Sequence, residues 1–453
     1  MKRLTRYRGL AALLAHTVYL TSGMILRAVY SCLFYLATPF ILLRLWWRGI
    51  KAPAYRLRWL ERLGFYPTGQ PDHVIWFHAV SVGEVEALSS LIKLLQQRHP
   101  DKPLLVTTTT PTGSARVSAR WQGRVAHVYL PYDLPDVVER FLHCFKPKLA
   151  VIVETEIWPN LYAGCAAHAI PVVIVNARLS EKSVRAYQKI SGLMRSTLAK
   201  VKLIATQSDE DRQRFLAIGA SSEQTQTVGN VKFDSHLPDE IIQQGRTLKT
   251  QVLGSRLVLI AASTHHDEEK ILAEIYLAIK PKHPELLLVL APRHPERFAD
   301  VHKLCEQLHL SVVTRNSQLA CSPETDIFLL NTLGELKLFY AAADLAFIGG
   351  SLVPIGGHNV LEAAAAGVPA LFGPYMGNFK LIADGMVNAA AAVQCADAHA
   401  LTNALLTLVE NPDQRRQLSE KSRLFVKCHQ GVANKLCDLL EPYLSAVSTD
   451  AAS

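Results

Sequence analysis

The sequence holds few cysteines and lacks the motifs of several common chemistries. Its 8 cysteines among 453 residues are scattered without a CxxC pair, which argues against a disulfide framework or a zinc site and favours a reducing compartment. No GxxxxGK[ST] loop occurs, so the sequence excludes a P-loop nucleotide site. No DxD-type acidic pair is placed to hold a metal ion on a diphosphate. We therefore expect a site that needs neither a metal ion nor a cofactor.

Charge is also sparse, but the charge that is present has a basic excess. Charged residues make up 19% of the chain, and 48 Lys and Arg outnumber 39 Asp and Glu, which gives a net charge of +9. A basic balance favours an anionic partner, such as nucleic acid, a membrane surface or a phosphorylated substrate. Hydrophobic residues make up 49% of the chain, and its length allows two domains plus a further element. The composition argues against global disorder.

An apolar N-terminal stretch at 10–47 is the compositional anomaly, interrupted only by His16, Arg27 and Arg44. It has no signal-peptide cleavage site, so we expect it to be retained as a membrane anchor within residues 1–48. The basic run at its end favours the cytoplasmic side and attracts anionic head groups. The members of this run are Arg44, Arg48, Lys51, Arg56, Arg58 and Arg62. The sequence thus predicts cytoplasmic domains tethered to a membrane, and a buried amphipathic hairpin is the weaker alternative.

The number of membrane spans stays open at this point. Segments 10–26 and 28–43 are each slightly short for a crossing, and only Arg27 separates them. Segment 24–43 alone makes one adequate span. Met24 is a candidate for the true start of translation, a hypothesis that N-terminal sequencing of the native protein tests.

From about residue 73 onward, apolar strands alternate with helical stretches. Continuous Val, Ile and Leu runs separated by helices predict parallel sheets covered on both faces. The alternation pauses in a polar linker and then restarts, which predicts Rossmann-like domains at 50–240 and 250–425, followed by a helical tail at 426–453. The fold class is therefore α/β, with two Rossmann-like domains facing a cleft. Ligands in such sheets bind beyond the carboxyl ends of the strands.

The motif HAVSVGE follows the first predicted strand and opens the first helix. Its Glu84 lies at a helix start, where a carboxylate is stabilised as an anion and can serve as a general base. The alternative is a glutamate that merely favours the first turn of the helix.

The motif ETEIWPN ends the strand LAVIV and brings two carboxylates, Glu154 and Glu156, to a strand end. Such groups are costly unless they are paired or face a polar cleft. They could orient Arg178 or Lys232, or form a salt bridge that stabilises the domain. Lys232, in GNVKFD at the domain exit, is suited to neutralise a leaving phosphate, although a surface charge is the simpler interpretation.

The second predicted domain carries a glycine-rich segment at 349–374, GGSLVPIGGHNVLEAAAAGVPALFGP. We expect a loop whose backbone N–H groups approach a phosphate, then a helix that begins near Asn359. Glu362 in its first turn would suit ribose hydroxyls. The alternative is an ordinary glycine turn between a strand and a helix.

Two further loops carry candidate groups. Arg293 follows a strong strand and is a good phosphate clamp. Gly334 and Glu335 start another helix and would touch the nucleotide. The segment STHHDEE at 263–269 invites a metal interpretation, but an N-cap followed by first-turn carboxylates explains it better.

Taken together, the motifs resemble the 3-deoxy-D-manno-octulosonic acid (Kdo) transferases of lipopolysaccharide synthesis. The resemblance covers about residues 24–445, and many ordered blocks make it specific. One departure is Asn331, where the family commonly has Asp. The blocks are RLWWRGIKAPAYRLRW, HAVSVGE, TTTTPTGSARV, YLPYD, ETEIWPN, NARLS, GNVKFD, ASTHHDEE, PRHPERF, GEL and GGSLVPIGGHNVLEA.

The resemblance implies a GT-B fold and inverting transfer of Kdo from CMP-Kdo to lipid IVA at the inner membrane. It implies no metal, no cofactor and no nucleic-acid partner, and it implies binding to inner-membrane lipids. Glu84 would be the base, and Glu154 and Lys232 would stabilise the transition state. The implied nucleotide-binding residues are Pro292, Arg293, Leu333, Gly334, Glu335, Asn359, Val360, Leu361 and Glu362.

Three other interpretations stay open from the residues alone. The first is another GT-B glycosyltransferase that uses a nucleotide-diphosphate sugar on a lipid acceptor. The second is a sugar-nucleotide epimerase, which would have no use for the anchor. The third is a membrane-bound scaffold without catalysis, which would not need Glu84, Arg293 and Glu362 in one cleft.

Overall fold

A computed structural model describes residues 2–234 and 237–445, with the backbone alone for 2–22 and Ser445. Met1, and with it one of the two candidate starts, lies outside the described residues, as do 235–236 and the end of the predicted tail, 446–453. The chain forms two compact units. The first runs to Val231 and resumes at Gly431, and the second covers Lys232–Gln430.

The first unit is built on a seven-stranded sheet in the order β3-β2-β1-β4-β5-β6-β7, in which every neighbouring pair is parallel. Its central strands are buried along their whole length, because helices cover both faces. The strands are β1 Ile75–His78, β2 Leu104–Thr108, β3 Ala126–Tyr129, β4 Leu149–Val153, β5 Val172–Ala177, β6 Val201–Thr206 and β7 Thr225–Thr227.

The helices of this unit are α1 Lys2–Lys51, α2 Trp59–Arg62, α3 Val82–Arg98, α4 Pro111–Trp121, α5 Pro135–Phe145, α6 Pro159–Ala167, α7 Glu181–Gln188, α8 Ser191–Leu198 and α9 Asp209–Ala217, with a 3-10 turn at Pro53–Arg56. Helices α1 and α2 precede the first strand, and α3 to α9 connect successive strands, as crossovers between parallel strands require. The last helix of the chain, α18 Val432–Ser445, packs on α3 in this same unit.

Helix α1 is a single continuous helix, in which Gly23–Lys51 is long and apolar enough to cross a membrane by length and composition. One face packs on the unit, where the Ser31 hydroxyl donates to Asn160 Oδ1 at 3.0 Å. Within Gly23–Lys51 many large apolar side chains are exposed, including Leu36 at 70% and Phe40 at 74%. Exposure of large apolar groups on this scale is typical of a surface that needs a non-aqueous environment.

The second unit repeats the architecture with the order β10-β11-β9-β8-β12-β13-β14, again parallel throughout. Its strands are β8 Leu257–Thr264, β9 Leu286–Pro292, β10 Val312–Thr314, β11 Ile327–Leu329, β12 Leu345–Ile348, β13 Ala370–Phe372 and β14 Val393–Gln394. Its helices are α10 Asp239–Gln251, α11 Glu268–Ile279, α12 Phe298–Gln307, α13 Leu336–Ala342, α14 Leu361–Ala366, α15 Lys380–Asn388, α16 Ala398–Glu410 and α17 Pro412–His429. Short 3-10 turns lie at Val231–Asp234, Pro295–Arg297, Arg315–Ser317 and Gly377–Phe379.

The predicted fold class, two parallel α/β sheets preceded by an apolar helix, is confirmed. Two edge strands, Thr225–Thr227 and Val393–Gln394, were absent from the prediction because they are too short or too polar to give a hydrophobic signal. Helix α14 begins at Leu361, two residues after the predicted start at Asn359.

Both sheets have a point where the strand order reverses, which is where ligands bind in open α/β folds. In the first sheet it lies between β1 and β4, and in the second it lies between β8 and β12. The loops that leave these four strands carry most of the predicted site residues.

Candidate active site

Glu84 lies in the first turn of α3, directly beyond β1. Its Oε2 accepts a hydrogen bond from the Val80 N–H at 2.7 Å, and its Oε1 accepts one from the Ser81 hydroxyl at 2.9 Å. Glu84 lies in the first turn, where a carboxylate is favoured, but the N-cap Ser81 makes no side-chain hydrogen bond to the helix, so the contacts do not form a capping box. They fix the carboxylate in one place, which a general base requires.

The electrostatic setting of Glu84 goes beyond helix capping. Burial raises the pKa of this carboxyl above its usual range, and the neighbouring Glu154 carboxylate raises it further. The Val80 and Ser81 hydrogen bonds and the nearby His78 act in the opposite direction on the same pKa. A carboxylate with a raised pKa is a stronger base, and this combination is typical of catalytic positions.

Glu154 follows β4, the strand across the reversal point from β1. It holds a left-handed backbone conformation with φ of 58°, which is strained for a residue with a side chain. Its N–H donates to the Val175 carbonyl at 3.1 Å, and this hydrogen bond to the neighbouring strand keeps the backbone in the strained conformation. The structure thus brings Glu154 and Glu84 into electrostatic contact in one unit.

Glu156, two residues on, faces a group that sequence reasoning passed over. The Trp158 indole donates to its Oε2 at 2.8 Å, and His78 Nε2 lies 3.7 Å from the same oxygen. His78 is fully buried, and its Nδ1 lies 2.9 Å from the Thr107 hydroxyl. Its Nε2 makes no hydrogen bond with any described residue. The sequence could have indicated His78 as a site residue, because it ends the first strand and begins the motif HAVSVGE.

The basic run begins in the last turns of α1 and is only partly available to head groups. Arg62 is 4% exposed, its guanidinium lies 4.1 Å from the centre of the Tyr129 ring, and it donates to the Thr109 carbonyl at 2.9 Å. Arg58 donates to the Glu61 carboxylate at 2.6 and 2.9 Å. The expectation of a membrane-facing charge is therefore wrong for Arg62, because its side chain packs inside the unit.

Lys232 lies in the second unit, within the 3-10 turn Val231–Asp234. It is half-buried, and its Nζ is 5.8 Å from the centre of the Phe379 ring. Just before it, the Val231 N–H donates to the Asn176 side-chain oxygen at 3.1 Å, which fixes the chain as it leaves the first unit.

In the second unit, the glycine-rich loop after β12 does not offer its N–H groups as predicted. The buried Glu268 carboxylate accepts hydrogen bonds from the N–H groups of Gly350 at 2.7 Å and of Ser351 and Leu352 at 3.0 Å. It also accepts one from the His265 N–H at 3.0 Å. The prediction that this part of the loop cradles a phosphate is therefore wrong, because an internal anion already fills it.

The loops after β9 and β11 place the other predicted donor-site residues. Pro292 ends β9 in the core, whereas Arg293 is exposed and its N–H donates to the Thr264 carbonyl at 3.0 Å. The Glu335 carboxylate accepts from the Arg315 guanidinium at 2.7 Å, and this contact chiefly lowers its pKa. Leu333 and Gly334 precede it, and Leu333 is 66% exposed.

Residues 359–362 form the start of the short helix α14. The Asn359 side-chain oxygen accepts from the Leu361 N–H at 3.1 Å and so caps the helix. Val360 and Leu361 are fully buried, so only their backbone could contact a ligand. Glu362 lies 3.5 Å from the Asn359 amide nitrogen.

Two imidazoles also meet beyond β8 and β12. His265 Nε2 and His358 Nε2 are 2.8 Å apart, and the exposed His294 lies beside them with a ring-centre distance of 5.3 Å from His265. Sequence reasoning named His265 only in a discounted metal motif and gave His358 no role. Their separation of 93 residues explains why no local pattern revealed the pair.

Comparison with known proteins supplies the family. Residues 57–235 match the model of the 3-deoxy-D-manno-octulosonic-acid transferase (kdotransferase) domain, and residues 267–425 match that of glycosyl transferases group 1. The chain is 38% identical over 421 residues to the 3-deoxy-D-manno-octulosonic acid transferase of Haemophilus influenzae, which covers 92% of this chain and 99% of the relative. The enzyme of the same name from Bordetella pertussis is 33% identical, with 92% and 99% covered.

A solved structure of Anabaena HepE in complex with UDP matches 82% of this chain and all of its own, with a TM-score of 0.55 and 16% identity. At that identity the match bears on the fold alone. Family models, relatives and fold agree: the chain belongs to the Kdo transferase family, and its two parallel α/β units are those of a GT-B glycosyltransferase.

Proposed function

We propose that this Kdo transferase moves Kdo from CMP-Kdo to a hydroxyl of lipid IVA, with inversion at the anomeric carbon, in lipopolysaccharide synthesis. The observation that carries the mechanism is the Glu84–Glu154 carboxylate pair at the reversal point of the first sheet, where one member has a raised pKa. An inverting transfer needs one base that removes the proton of the attacking hydroxyl. Glu84 is fixed by two hydrogen bonds and serves as that base.

On the donor side, the leaving CMP carries a single phosphate, whose charge grows as the glycosidic bond breaks. The exposed Arg293 guanidinium binds that phosphate, and Lys232 adds positive charge that stabilises the transition state. Glu154, at the end of β4, also takes part in stabilising the transition state. Pro292, Leu333, Gly334, Glu335 and residues 359–362 form the remaining nucleotide surface. Since Val360 and Leu361 are buried, they contribute backbone groups only.

The acceptor lies in a membrane, and the helix α1 accounts for access to it. Segment Gly23–Lys51 anchors the enzyme in the inner membrane, and the two units act on the cytoplasmic side. Inner-membrane lipids are therefore partners of α1, and we propose no nucleic-acid partner.

The test is transfer from freshly generated CMP-Kdo to lipid IVA in detergent, with product masses read by mass spectrometry. The wild type should give product whose mass counts the Kdo units added. Glu84→Gln, which keeps the size of the side chain, should give almost none. Glu86→Gln, two residues on in the same helix, is the matched control and should resemble the wild type.

Two outcomes would contradict the proposal in different places. A wild type that binds CMP but modifies no lipid IVA has a different acceptor. A Glu84→Gln variant with wild-type rates leaves the base unassigned, and a wild type stabilised by UDP but not by CMP has a different donor.

A further inference from the structure

The imidazole pair of His265 and His358 spans the reversal point of the second sheet. His265 follows β8 directly, and His358 lies in the loop after β12, the next strand in the sheet. This is the crevice in which an open α/β sheet binds its ligand. Neither ring has a role in the mechanism above.

The geometry of the pair fixes its hydrogen bonding. The Nε2 atoms are 2.8 Å apart, the ring planes differ by 3°, and the ring centres are 5.1 Å apart, so the rings lie edge to edge in one plane. One Nε2 must carry a proton and the other must accept it. The ring that donates therefore has a bare Nδ1, and the ring that accepts has an Nδ1–H.

The outward nitrogens are open to a ligand. Both rings are only partly buried, and within residues 2–234 and 237–445 neither Nδ1 has a hydrogen-bond partner. The pair thus presents one donor and one acceptor at its ends. One added proton turns the acceptor end into a second donor and makes the pair a cation.

The surroundings of the pair favour an anion. Burial is the largest cause that lowers the pKa of both imidazoles. Arg293 and His294, from the loop after β9, lower both pKa values further, and Arg297, from the next turn, lowers that of His265. Glu268, from the start of α11, binds the His265 N–H but is saturated by four backbone N–H groups. Arg297 is itself paired with Glu269 at 3.1 Å, and His294 lies 3.9 Å from Glu296. Arg293 makes no ion pair with a described residue, so it is the cation beside the pair that remains to attract an anion.

The backbone at Gly350 lies directly against both rings and forms the floor of the pair. A Cβ added at Gly350 would come within 3.2 Å of the His358 ring and within 3.4 Å of the His265 ring. Since Glu268 binds the Gly350 N–H, the same carboxylate fixes this floor and the backbone of His265. A preorganised pair binds its ligand without a further cost of ordering.

We propose that the His265–His358 pair binds the phosphate group of the nucleotide and takes up one proton when that phosphate is a dianion. This inference rests on the proposed function, since CMP released by the transfer is such a phosphate monoester. The outward Nδ1–H donates to a phosphate oxygen, and the added proton converts the other outward nitrogen into a second donor. Arg293 binds the same group from the neighbouring loop.

The experiment is isothermal titration of CMP, cytidine and inorganic phosphate at pH 7.5, in two buffers that differ in ionisation enthalpy, so that proton uptake is counted. The wild type should take up a proton with CMP and none with cytidine. His358→Gln and His265→Gln should bind CMP about tenfold more weakly and without the uptake, since a hydrogen bond to a charged group is lost. Their affinity for cytidine should stay unchanged.

The control is His266→Gln, because this imidazole is 77% exposed and pairs with Asp267 at 2.7 Å. It should keep both the CMP affinity and the proton uptake of the wild type. Wild-type CMP affinity and uptake in both pair variants would overturn the inference. So would an equal loss of cytidine binding, which would mean that the pair only holds the loop.

A failure of the proposed donor gives a different pattern. If the wild type binds neither CMP nor cytidine, the nucleotide assignment is wrong, and the pair is then judged on inorganic phosphate alone. Phosphate binding with proton uptake in the wild type, absent from His358→Gln, would still support the pair. No phosphate binding in the wild type would overturn it.

Discussion

The two reversal points of this molecule have the same topology and opposite chemistry. In the first sheet, the loops after β1 and β4 bring carboxylates together, with Glu84 and Glu154 in electrostatic contact. In the second sheet, the loops after β8 and β12 bring imidazoles together beside Arg293. A transfer reaction needs both, since the acceptor gives up a proton and the leaving group gains negative charge. In the function we propose, one architecture thus serves two tasks through the residues that end its strands.

The two sites put a buried carboxylate to different uses. Burial raises the pKa of Glu84 in the first site and of Glu268 in the second. Glu84 accepts two hydrogen bonds beside a second carboxylate, whereas Glu268 accepts four from backbone N–H groups and so fixes the loop after β12. Burial of like groups therefore tunes chemistry in one unit and holds a loop in the other.

The largest expected effect is on the acidic site. Glu84→Gln should lower kcat by about 10²- to 10⁴-fold, the usual contribution of a general base. The amide oxygen can still accept the hydrogen bond from the Val80 N–H, so the fold and the affinity for CMP should not change. Steady-state kinetics with CMP-Kdo and circular dichroism check both points. A variant that loses kcat together with its helical signal would speak for a capping role instead.

A smaller effect is expected from the basic site. Arg293→Ala should weaken CMP binding about 10- to 100-fold, since one charge-assisted hydrogen bond to phosphate is lost. Cytidine, which lacks the phosphate, should bind this variant and the wild type equally. Arg416→Ala removes a guanidinium that is 72% exposed on α17 and serves as the control. Equal losses for CMP and cytidine would remove Arg293 from the phosphate contact.

The contrast between the sites was only half visible in the sequence. Continuous runs such as LAVIV and LLLVLAP have no polar side to expose, so they predict buried parallel strands without any knowledge of their partners. The residue after such a strand, as with Glu154 or Arg293, is then placed at the ligand edge by topology alone. That is why these two residues could be assigned before the structure.

Hydrogen-bond partners that lie far apart in the chain could not be predicted from the sequence. Glu268 was interpreted as an acidic residue in the first turn of a helix, whereas its carboxylate accepts a hydrogen bond from the Gly350 N–H, 82 residues away. The start of the glycine-rich loop was predicted to bind a phosphate for the same reason, since only the structure shows that the N–H groups of Gly350, Ser351 and Leu352 already bind Glu268. The His265–His358 contact likewise depends on two loops that come together only when β8 and β12 pair.

A third prediction concerns the coupling within the acidic site. Because the Glu154 carboxylate helps to raise the pKa of Glu84, Glu154→Gln should lower that pKa. The base is active when ionised, so the acid limb of kcat/KM should move to lower pH, in addition to any loss of rate. The measurement is the pH profile of kcat/KM for the wild type and the variant. An unmoved limb would mean that the Glu154 carboxylate does not contribute to the pKa of Glu84.

The smallest effect is on stability, and the contributions of His358 and Glu84 to it should have opposite signs. Burial and neighbouring charges lower the pKa of His358 from 6.5 to about 4, so between these values the unfolded state binds more protons. The contribution of His358 to the stability of the second unit therefore falls as pH drops from 7 to 5, by about 1 kcal/mol once solvent screening is allowed for.

Glu84 should give the reverse trend in the first unit. Its pKa is raised in the folded state, so the folded state binds more protons as pH falls, and its carboxylate costs least at acid pH. Hydrogen exchange of amides in β1 and β8, measured at pH 7 and 5, reads the two units separately. Other buried groups titrate in the same units, such as His127, whose pKa burial lowers to about 3, so each contribution is measured as the difference between the wild type and the variant. His358→Gln should flatten the acid loss in β8 without affecting β1, and Glu84→Gln should remove stability that β1 gains at acid pH. Differences of the same sign for the two variants would mean that His358 and Glu84 do not act in the way their burial and charges require.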